Sequence, residues 1–338
     1  MFDDKVAVVT GAGSGIGRAL AVQLAKAGAR LALSDINRTM LDETLGLLPR
    51  SRRKSSLRVR GYTLDVASAE AVFAHADEVR RDFGTAHFVF NNAGATIVGT
   101  VAHTSIEEYE WQLGINMWGA LYGTKAFLPL MLKQREGCIV NISSVFGMIG
   151  FPAQSAYNMS KFAVRGLTEC LWSELEGTGV RAVCVHPGGI RTNIDKTARR
   201  CKAASSEEAS FDGLAEKMLV TPPEDCAADI LEGLRRGDQR IITGSKSSTI
   251  SGYRASSQMP IQSCSNCSAD IGRCFNAEVK SWPSIAVNPK NPLFSQPGTI
   301  ARVVSRCHSQ ARPSWRHWPG SANPWSSVHD HHPGACLD

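Results

Sequence analysis

Residues 5–17 read Lys5-Val-Ala-Val-Val-Thr10-Gly-Ala-Gly-Ser-Gly-Ile-Gly17, and this stretch decides the fold. Its first half is a continuous apolar run, which is typical of a strand buried on both faces of a parallel sheet. Its glycine-rich half leads into a helix to about Ala27, which Gly28 ends. A strand, a glycine turn and a helix N-terminus in this order predict a cradle for dinucleotide phosphates. The same turn without a ligand is the alternative.

Further apolar runs alternate with amphipathic helical segments along the chain. The predicted strands cover residues 30–34, 57–63, 87–90, 138–143, 180–186 and 239–243. Strands separated by helices favour parallel pairing through crossover connections. The sequence therefore predicts an α/β protein with a Rossmann-type doubly wound parallel sheet of about seven strands within residues 1–245, followed by a largely unstructured tail.

The second predicted strand ends at Asp35, close to the spacing from the glycine turn at which an acid binds the adenosine ribose. A carboxylate there would repel a 2′-phosphate, so NAD is favoured over NADP. Arg38 opposes this choice, because a nearby arginine can accommodate that phosphate. Asp35 could alternatively be an ordinary N-cap of the next helix.

Polar residues and glycines follow several other strands, at the edge where open α/β sheets bind ligands. Asp65 could meet the adenine edge, and the turn Asn91-Asn-Ala-Gly94 allows a close backbone approach to a cofactor. The loop Pro187-Gly-Gly-Ile-Arg-Thr192 could close over a nicotinamide, with Thr192 near its amide. The polar segment at residues 193–220 suggests a mobile lid over the substrate. Asparagines are also common in turns that bind nothing.

A second motif begins where the strand at residues 138–143 delivers Ser144, and it continues to Tyr157-Asn-Met-Ser-Lys161. If Ser155 caps a helix, Tyr157 and Lys161 lie one turn apart on the same face. A lysine ammonium beside a phenol favours the phenolate, and Ser144 could hold a substrate oxygen against it. Taken alone, such a pair could also lie on a solvated helix face. Asn116 lies inside a predicted helix and could equally be a satisfied buried amide.

Together these motifs resemble the short-chain dehydrogenase/reductase family over about residues 3–245. The resemblance implies that Tyr157 is the general acid/base and that Ser144 positions the carbonyl or alcohol. It implies that Lys161 lowers the pKa of Tyr157 and holds the nicotinamide ribose, and that Asn116 holds a water in a proton relay. The residues expected to bind the cofactor are Gly11, Ser14, Gly15, Ile16, Gly17, Asp35, Asp65, Val66, Asn92, Ala93, Gly94, Tyr157, Lys161, Pro187, Gly188, Ile190 and Thr192.

The expected function is an NAD(P)-dependent oxidoreductase that moves a hydride between nicotinamide and a secondary alcohol or ketone. Candidate pocket residues are mostly apolar and favour a lipophilic or small neutral substrate over an acid: Ala95, Val145, Phe146, Phe151 and Ile194. One alternative is a non-catalytic dinucleotide-binding sensor or scaffold, although a pure binder has no need of a proton relay. A related epimerase or dehydratase on the same fold is another.

Composition narrows the remaining possibilities. The net charge of +6 is modest and does not imply a nucleic-acid partner. No apolar run of about 20 residues or signal-peptide pattern is present, and the scattered cysteines before residue 246 fit a reduced, cytoplasmic protein. No metal site is expected there. Helices at residues 115–134 and 155–176 are apolar on more than one face, which favours a homodimer or homotetramer.

The tail at residues 246–338 has a different composition. Nine of the 15 prolines and four of the seven tryptophans lie there, without helical periodicity. It could bind zinc through Cys264, Cys267, Cys274, Cys307 and His308, although the spacing completes no known zinc motif. It could instead be a disordered interaction segment, or a frameshift-like stretch that is not native sequence. We expect it to be mostly disordered whatever its origin.

Overall fold

A computed structural model describes residues 1–49, 58–194, 197–203 and 219–244. Its centre is a parallel sheet of seven described strands in the order β3-β2-β1-β4-β6-β7-β9. These strands are β1 (Val6–Thr10), β2 (Arg30–Asp35), β3 (Val59–Thr63), β4 (Phe88–Asn91), β6 (Gly137–Ile142), β7 (Val180–Pro187) and β9 (Arg240–Thr243). The strand order reverses between β1 and β4, which opens a crevice at their carboxyl ends. The predicted fold class is confirmed.

Helices cover both faces of the sheet because each central strand is apolar on both sides. They are α1 (Gly15–Lys26), α2 (Arg38–Leu47), α3 (Ala69–Phe83), α4 (Ile106–Leu113), α5 (Gly119–Gln134), α6 (Ser155–Glu174) and α7 (Pro223–Arg236). Ala7 and Val9 of β1 belong to one buried cluster, with apolar residues of α1 and α7. Val6 and Val8 belong to the other, with apolar residues of α3, α5 and α6. This alternation is the signature of a doubly wound sheet.

Two features differ from the sequence-based expectations. The segment at residues 107–134, expected to be mostly helical, contains a π-helical turn at Gly114–Trp118, between α4 and α5. A small second sheet pairs β5 (Ile97–Val98) with β8 (Arg199–Arg200). Strands of two residues are too short to give a period-two pattern, so the sequence could not reveal them.

Several predicted segments lie outside the described residues. These are the basic loop at residues 50–57, most of the expected lid, and the tail from residue 245 onwards. The described part of the lid contains β8. Among the described helices, none combines the length and apolar character needed to cross a bilayer.

Candidate active site

The glycine turn after β1 is tightly packed against itself. Gly11 and Gly15 have φ values of 65° and 52°, a region that side chains with a Cβ rarely adopt. A Cβ on Gly17 would lie 2.1 Å from the carbonyl oxygen of Gly11. Ser14 has extended backbone at the N-cap of α1, and its side chain makes no capping hydrogen bond. The first-turn amides of α1 are therefore left for an anion, so the turn fits a dinucleotide phosphate.

Asn92 and Ala93 join the end of β4 to this turn. The Asn92 side-chain amide donates to the Thr10 carbonyl oxygen at 2.8 Å. The Thr10 hydroxyl accepts hydrogen bonds from the backbone amides of Asn92 and Ala93, both at 3.0 Å. A Cβ on Gly11 would lie 2.8 Å from the Ala93 Cα atom, so the two segments approach as closely as backbone allows. The turn after β4 was expected to let the backbone approach a cofactor closely. In the structure, part of its close packing is against the glycine turn after β1.

Asp35 holds the glycine turn from the neighbouring strand. Its Oδ2 atom accepts a hydrogen bond from the Gly13 amide at 2.8 Å, and its Oδ1 atom accepts one from the Asn37 amide at 2.9 Å. The N-cap of α2 is Asn37, whose side chain accepts from the Met40 amide. Arg38 forms an ion pair with Asp42 at 2.8 Å. Asp35 is thus no ordinary helix cap, and lone pairs of its carboxylate remain available to a ligand.

Helix α6 places Tyr157 and Lys161 one turn apart, although Ser155 is not its cap. The N-cap is Gln154, while the Ser155 hydroxyl shares a hydrogen bond with the Tyr109 hydroxyl at 2.6 Å. The Lys161 side chain is buried, and its Nζ atom donates to the Ile142 carbonyl oxygen at 2.9 Å. The same Nζ atom lies 5.5 Å from the centroid of the Tyr157 ring.

Burial shifts the pKa values of both groups. It raises the pKa of the Tyr157 phenol to about 12, and a hydrogen bond with the Ser144 side chain opposes that shift. It lowers the pKa of the Lys161 ammonium to about 8. In the protein alone, burial therefore disfavours the charged form of each group more strongly than their neighbours favour it.

Ser144 begins a 3₁₀ turn at Val145–Gly147, and its hydroxyl accepts a hydrogen bond from the Phe146 amide at 3.1 Å. Its carbonyl oxygen lies 3.0 Å from Nδ1 of His186. Burial lowers the pKa of His186 to about 4, so the neutral ring donates from Nδ1 to that carbonyl. His186 is a supporting residue that sequence reasoning missed, because a histidine at a strand end carries no distinctive pattern.

Asn116 lies in the π-helical turn and is buried. Its Oδ1 atom accepts from the Ala95 amide at 2.9 Å, and its Nδ2 atom donates to the Ala95 carbonyl and to the Ser160 hydroxyl, both at 3.0 Å. The side chain therefore fixes the segment after β4 against α6. π-Helical turns occur frequently at functional sites, which is consistent with this position.

A cavity of about 670 Å³ lies above the carboxyl ends of the central strands. Most of the predicted site residues line it: Gly11, Ser14, Gly15, Ile16, Asp35, Asp65, Val66, Asn92, Ala93, Gly94, Ser144, Tyr157, Lys161, Pro187, Ile190 and Thr192. Gly17, Gly188 and Asn116 are not part of its wall. A Cβ on Gly15 would lie 3.0 Å from Thr192, so the loop after β7 touches the glycine turn.

The expected apolar residues Ala95, Val145, Phe146, Phe151 and Ile194 also line this cavity. The rings of Phe146 and Phe151 stack with centroids 4.7 Å apart, and Phe146 meets the Tyr157 ring edge to face. Sequence reasoning missed further wall residues, namely Val98, Trp111, Gln154 and Arg199. They are carried by β5, α4, the start of α6 and β8, whose approach depends on the pairing of two very short strands.

Comparisons with known proteins agree with this architecture. The family model described as short chain dehydrogenase matches residues 5–203. The Mycobacterium tuberculosis protein named as the oxidoreductase SadH is 44% identical over 246 residues, covering 72% of this chain and 87% of that protein. The Bos taurus dehydrogenase/reductase SDR family member 7B is 33% identical over 244 residues, covering 71% and 73%.

Among solved structures, a short chain dehydrogenase/reductase from Burkholderia phymatum in complex with NAD superposes with a TM-score of 0.70. It is 30% identical in sequence, and the match covers 85% of this chain and 99% of that one. The chain belongs to the short chain dehydrogenase family, as its motifs predicted, and is an oxidoreductase of that family.

Proposed function

We propose that this chain is an NAD-dependent oxidoreductase that interconverts a secondary alcohol and the corresponding ketone. The observation that carries the proposal is that Ser144, Tyr157 and Lys161 share one cavity with the glycine turn. A proton-transfer group and a dinucleotide cradle in the same enclosure are what this reaction requires.

The proposed cofactor site follows the strand ends from β3 to β7. The first-turn amides of α1 would bind the pyrophosphate, and Asp35 would accept hydrogen bonds from the adenosine ribose. Asp65 and Val66 would border the adenine, and Asn92, Ala93 and Gly94 the middle of the cofactor. Pro187, Gly188, Ile190 and Thr192 would close over the nicotinamide. The ion pair of Arg38 with Asp42 supports NAD rather than NADP, because it occupies the one cation that the sequence had offered to a 2′-phosphate.

Bound nicotinamide supplies the hydride acceptor or donor in this chemistry. The chain supplies the proton. We propose that Tyr157 takes a proton from the alcohol oxygen, or returns one to the ketone oxygen, and that Ser144 holds that oxygen by a hydrogen bond. The Lys161 ammonium would favour the phenolate of Tyr157 by its charge, and Asn116 would keep the proton path in place. The apolar wall near Tyr157 supports a substrate that is apolar around the reacting carbon.

We also propose that the chain assembles as a homodimer or homotetramer through α5 and α6. Three large apolar side chains, one directly before α5 and two on α6, are substantially exposed: Trp118 at 44%, Met159 at 53% and Phe162 at 42%. Light scattering at micromolar concentration should therefore give a mass above that of one chain.

The free thiols of the described cysteines support a reducing, cytoplasmic setting.

Purified protein should reduce NAD with some apolar secondary alcohols at alkaline pH, monitored by NADH absorbance. Binding of NADH without turnover across a broad alcohol and ketone panel would favour a non-catalytic binder instead. Product analysis would reveal an epimerase or dehydratase, since such reactions leave no net change in the cofactor.

A further inference from the structure

The charges that line the cavity are unevenly distributed. Four charged side chains of the described residues contribute to its wall: Asp35, Asp65, Lys161 and Arg199. Asp35 ends β2 and Asp65 follows β3, and these two strands lie at one edge of the sheet. The ammonium of Lys161 is engaged by the Ile142 carbonyl. Arg199 is carried by the separate β5–β8 sheet and lies against Trp111, so it adds a positive charge to the part of the wall that β5, α4 and β8 build.

Arg199 is held in place by its backbone. Its amide donates to the Thr96 carbonyl oxygen at 3.0 Å, and the Cys201 amide donates to the Val98 carbonyl oxygen at 2.9 Å. These bonds join β8 to β5, which begins three residues after Gly94. The Gln112 side chain in turn accepts from the Ile97 amide at 2.7 Å, which ties β5 to α4. The backbone that carries the Arg199 side chain is therefore held in a fixed position at the cavity wall.

The guanidinium of Arg199 lies 3.8 Å from the centroid of the Trp111 ring. Stacking uses the face of the planar group and leaves the N–H donors at its edge free to bind a ligand. Within the described part of the chain, Arg199 makes no ion pair with an acidic side chain. A stacked guanidinium also loses less side-chain freedom on binding than a mobile one. This is the arrangement of an anion-binding group held ready at the end of an apolar pocket.

We propose that Arg199 binds a carboxylate at the end of the substrate remote from the reacting carbon. The inference rests on the proposed function and refines its substrate class to apolar alcohols and ketones that carry a carboxylate. The expectation of a neutral substrate came from the apolar residues recognisable in the sequence. Arg199 adds one positive charge beyond them, and no described acid on that part of the wall offsets it.

The test uses a series of methyl-ketone carboxylates of increasing chain length, each paired with its methyl ester. Calorimetric binding to the NAD-loaded enzyme, which cannot reduce a ketone, and kcat/KM for ketone reduction with NADH are both measured. One chain length should bind about five- to tenfold more tightly as the acid than as the ester, as expected of a charge-assisted hydrogen bond that is partly exposed. Arg199→Gln should remove that preference by raising KM for the acid about five- to tenfold, with a clearly smaller effect on KM for the ester. Arg199→Lys should retain part of it.

Arg200→Gln is the matched control. Arg200 is the next residue of β8 and is not part of the cavity wall, so this substitution removes the same charge from outside the cavity. It should leave the acid preference intact. Equal loss of acid and ester binding in Arg199→Gln would show that the residue only fastens β8 to α4 and would overturn the inference. No preference for any acid in the wild type would overturn it as well. Binding needs no turnover, so failure of the proposed reaction would be seen separately, as ligand binding without reduction.

Discussion

The Nζ atom of Lys161 donates a hydrogen bond to the carbonyl oxygen of Ile142, the last residue of β6, at 2.9 Å. This bond ties the helix that carries Tyr157 to the strand that delivers Ser144, two residues further on. The three residues of the proposed proton-transfer site are therefore positioned by one contact between α6 and the sheet.

Gly17→Ala should be strongly destabilising, because the added Cβ would lie 2.1 Å from the Gly11 carbonyl oxygen. We expect a loss of about 2–4 kcal/mol in the free energy of unfolding, or failure to fold, in the range of severe overpacking. Gly46→Ala in α2 is the matched control, since a Cβ there has nothing within 4 Å. It should raise stability by about 0.5–1 kcal/mol through helix propensity. Urea unfolding measures both, and equal effects would contradict this packing of the turn.

Asp35→Asn should reduce the preference of the protein for NAD over NADP. The amide oxygen keeps an acceptor for Gly13, while the negative charge that repels a 2′-phosphate is lost. We expect NADPH to bind about tenfold more tightly than to the wild type, which corresponds to roughly 1.4 kcal/mol. Fluorescence titration with NADH and NADPH gives both dissociation constants. A wild type that already prefers NADPH would show that the argument from Asp35 is wrong.

Lys161 should give the cofactor-free protein a characteristic pH dependence of stability. Its pKa falls from 10.5 to about 8 on burial, so between these pH values the unfolded chain binds more protons than the folded one. The free energy of unfolding therefore rises with pH across that window, and the cost of the buried ammonium is fully present below it. The raised pKa of Tyr157 acts in the opposite direction, but only above pH 10.

The comparison is urea unfolding of wild type and Lys161→Met at pH 8 and pH 10. The wild type should gain about 2–3 kcal/mol relative to the variant across this interval, because the unfolded chain holds the Lys161 proton over most of these two pH units while the folded chain releases it. Parallel pH profiles for the two proteins would mean that Lys161 is not desolvated as its burial indicates.

Residues 1–245 are proposed to form the oxidoreductase domain, since β9 is the last described strand of the sheet and every predicted site residue precedes it. Truncation after Gly244 should leave the melting temperature within about 2 °C and turnover unchanged, since a shift of that size corresponds to at most about 1 kcal/mol for a domain of this length. Differential scanning calorimetry and a rate assay on both forms measure this. A truncated chain that does not fold would show that the tail is a structural element.

The sequence predicted the sheet, and it predicted residues most of which line the cavity, because both depend on local patterns. The apolar run before Thr10 and the spacing of Tyr157 and Lys161 can be recognised without knowledge of tertiary contacts. The π-helical turn around Asn116 was missed, since it changes one hydrogen-bond register without altering the apolar pattern. Arg199 and Trp111 were missed because their meeting depends on two-residue strands that are distant in sequence.

The central claim is that Tyr157 transfers the proton, and Tyr157→Phe tests it most directly because it removes one hydroxyl from the cavity wall. The measurement is kcat for alcohol oxidation by the variant, together with the NADH dissociation constant by fluorescence. We predict that kcat falls about 10²- to 10⁴-fold, the usual contribution of a general acid/base, while the NADH dissociation constant stays within about twofold of the wild-type value. A variant that binds NADH and retains turnover within a few fold of the wild type would contradict the assignment.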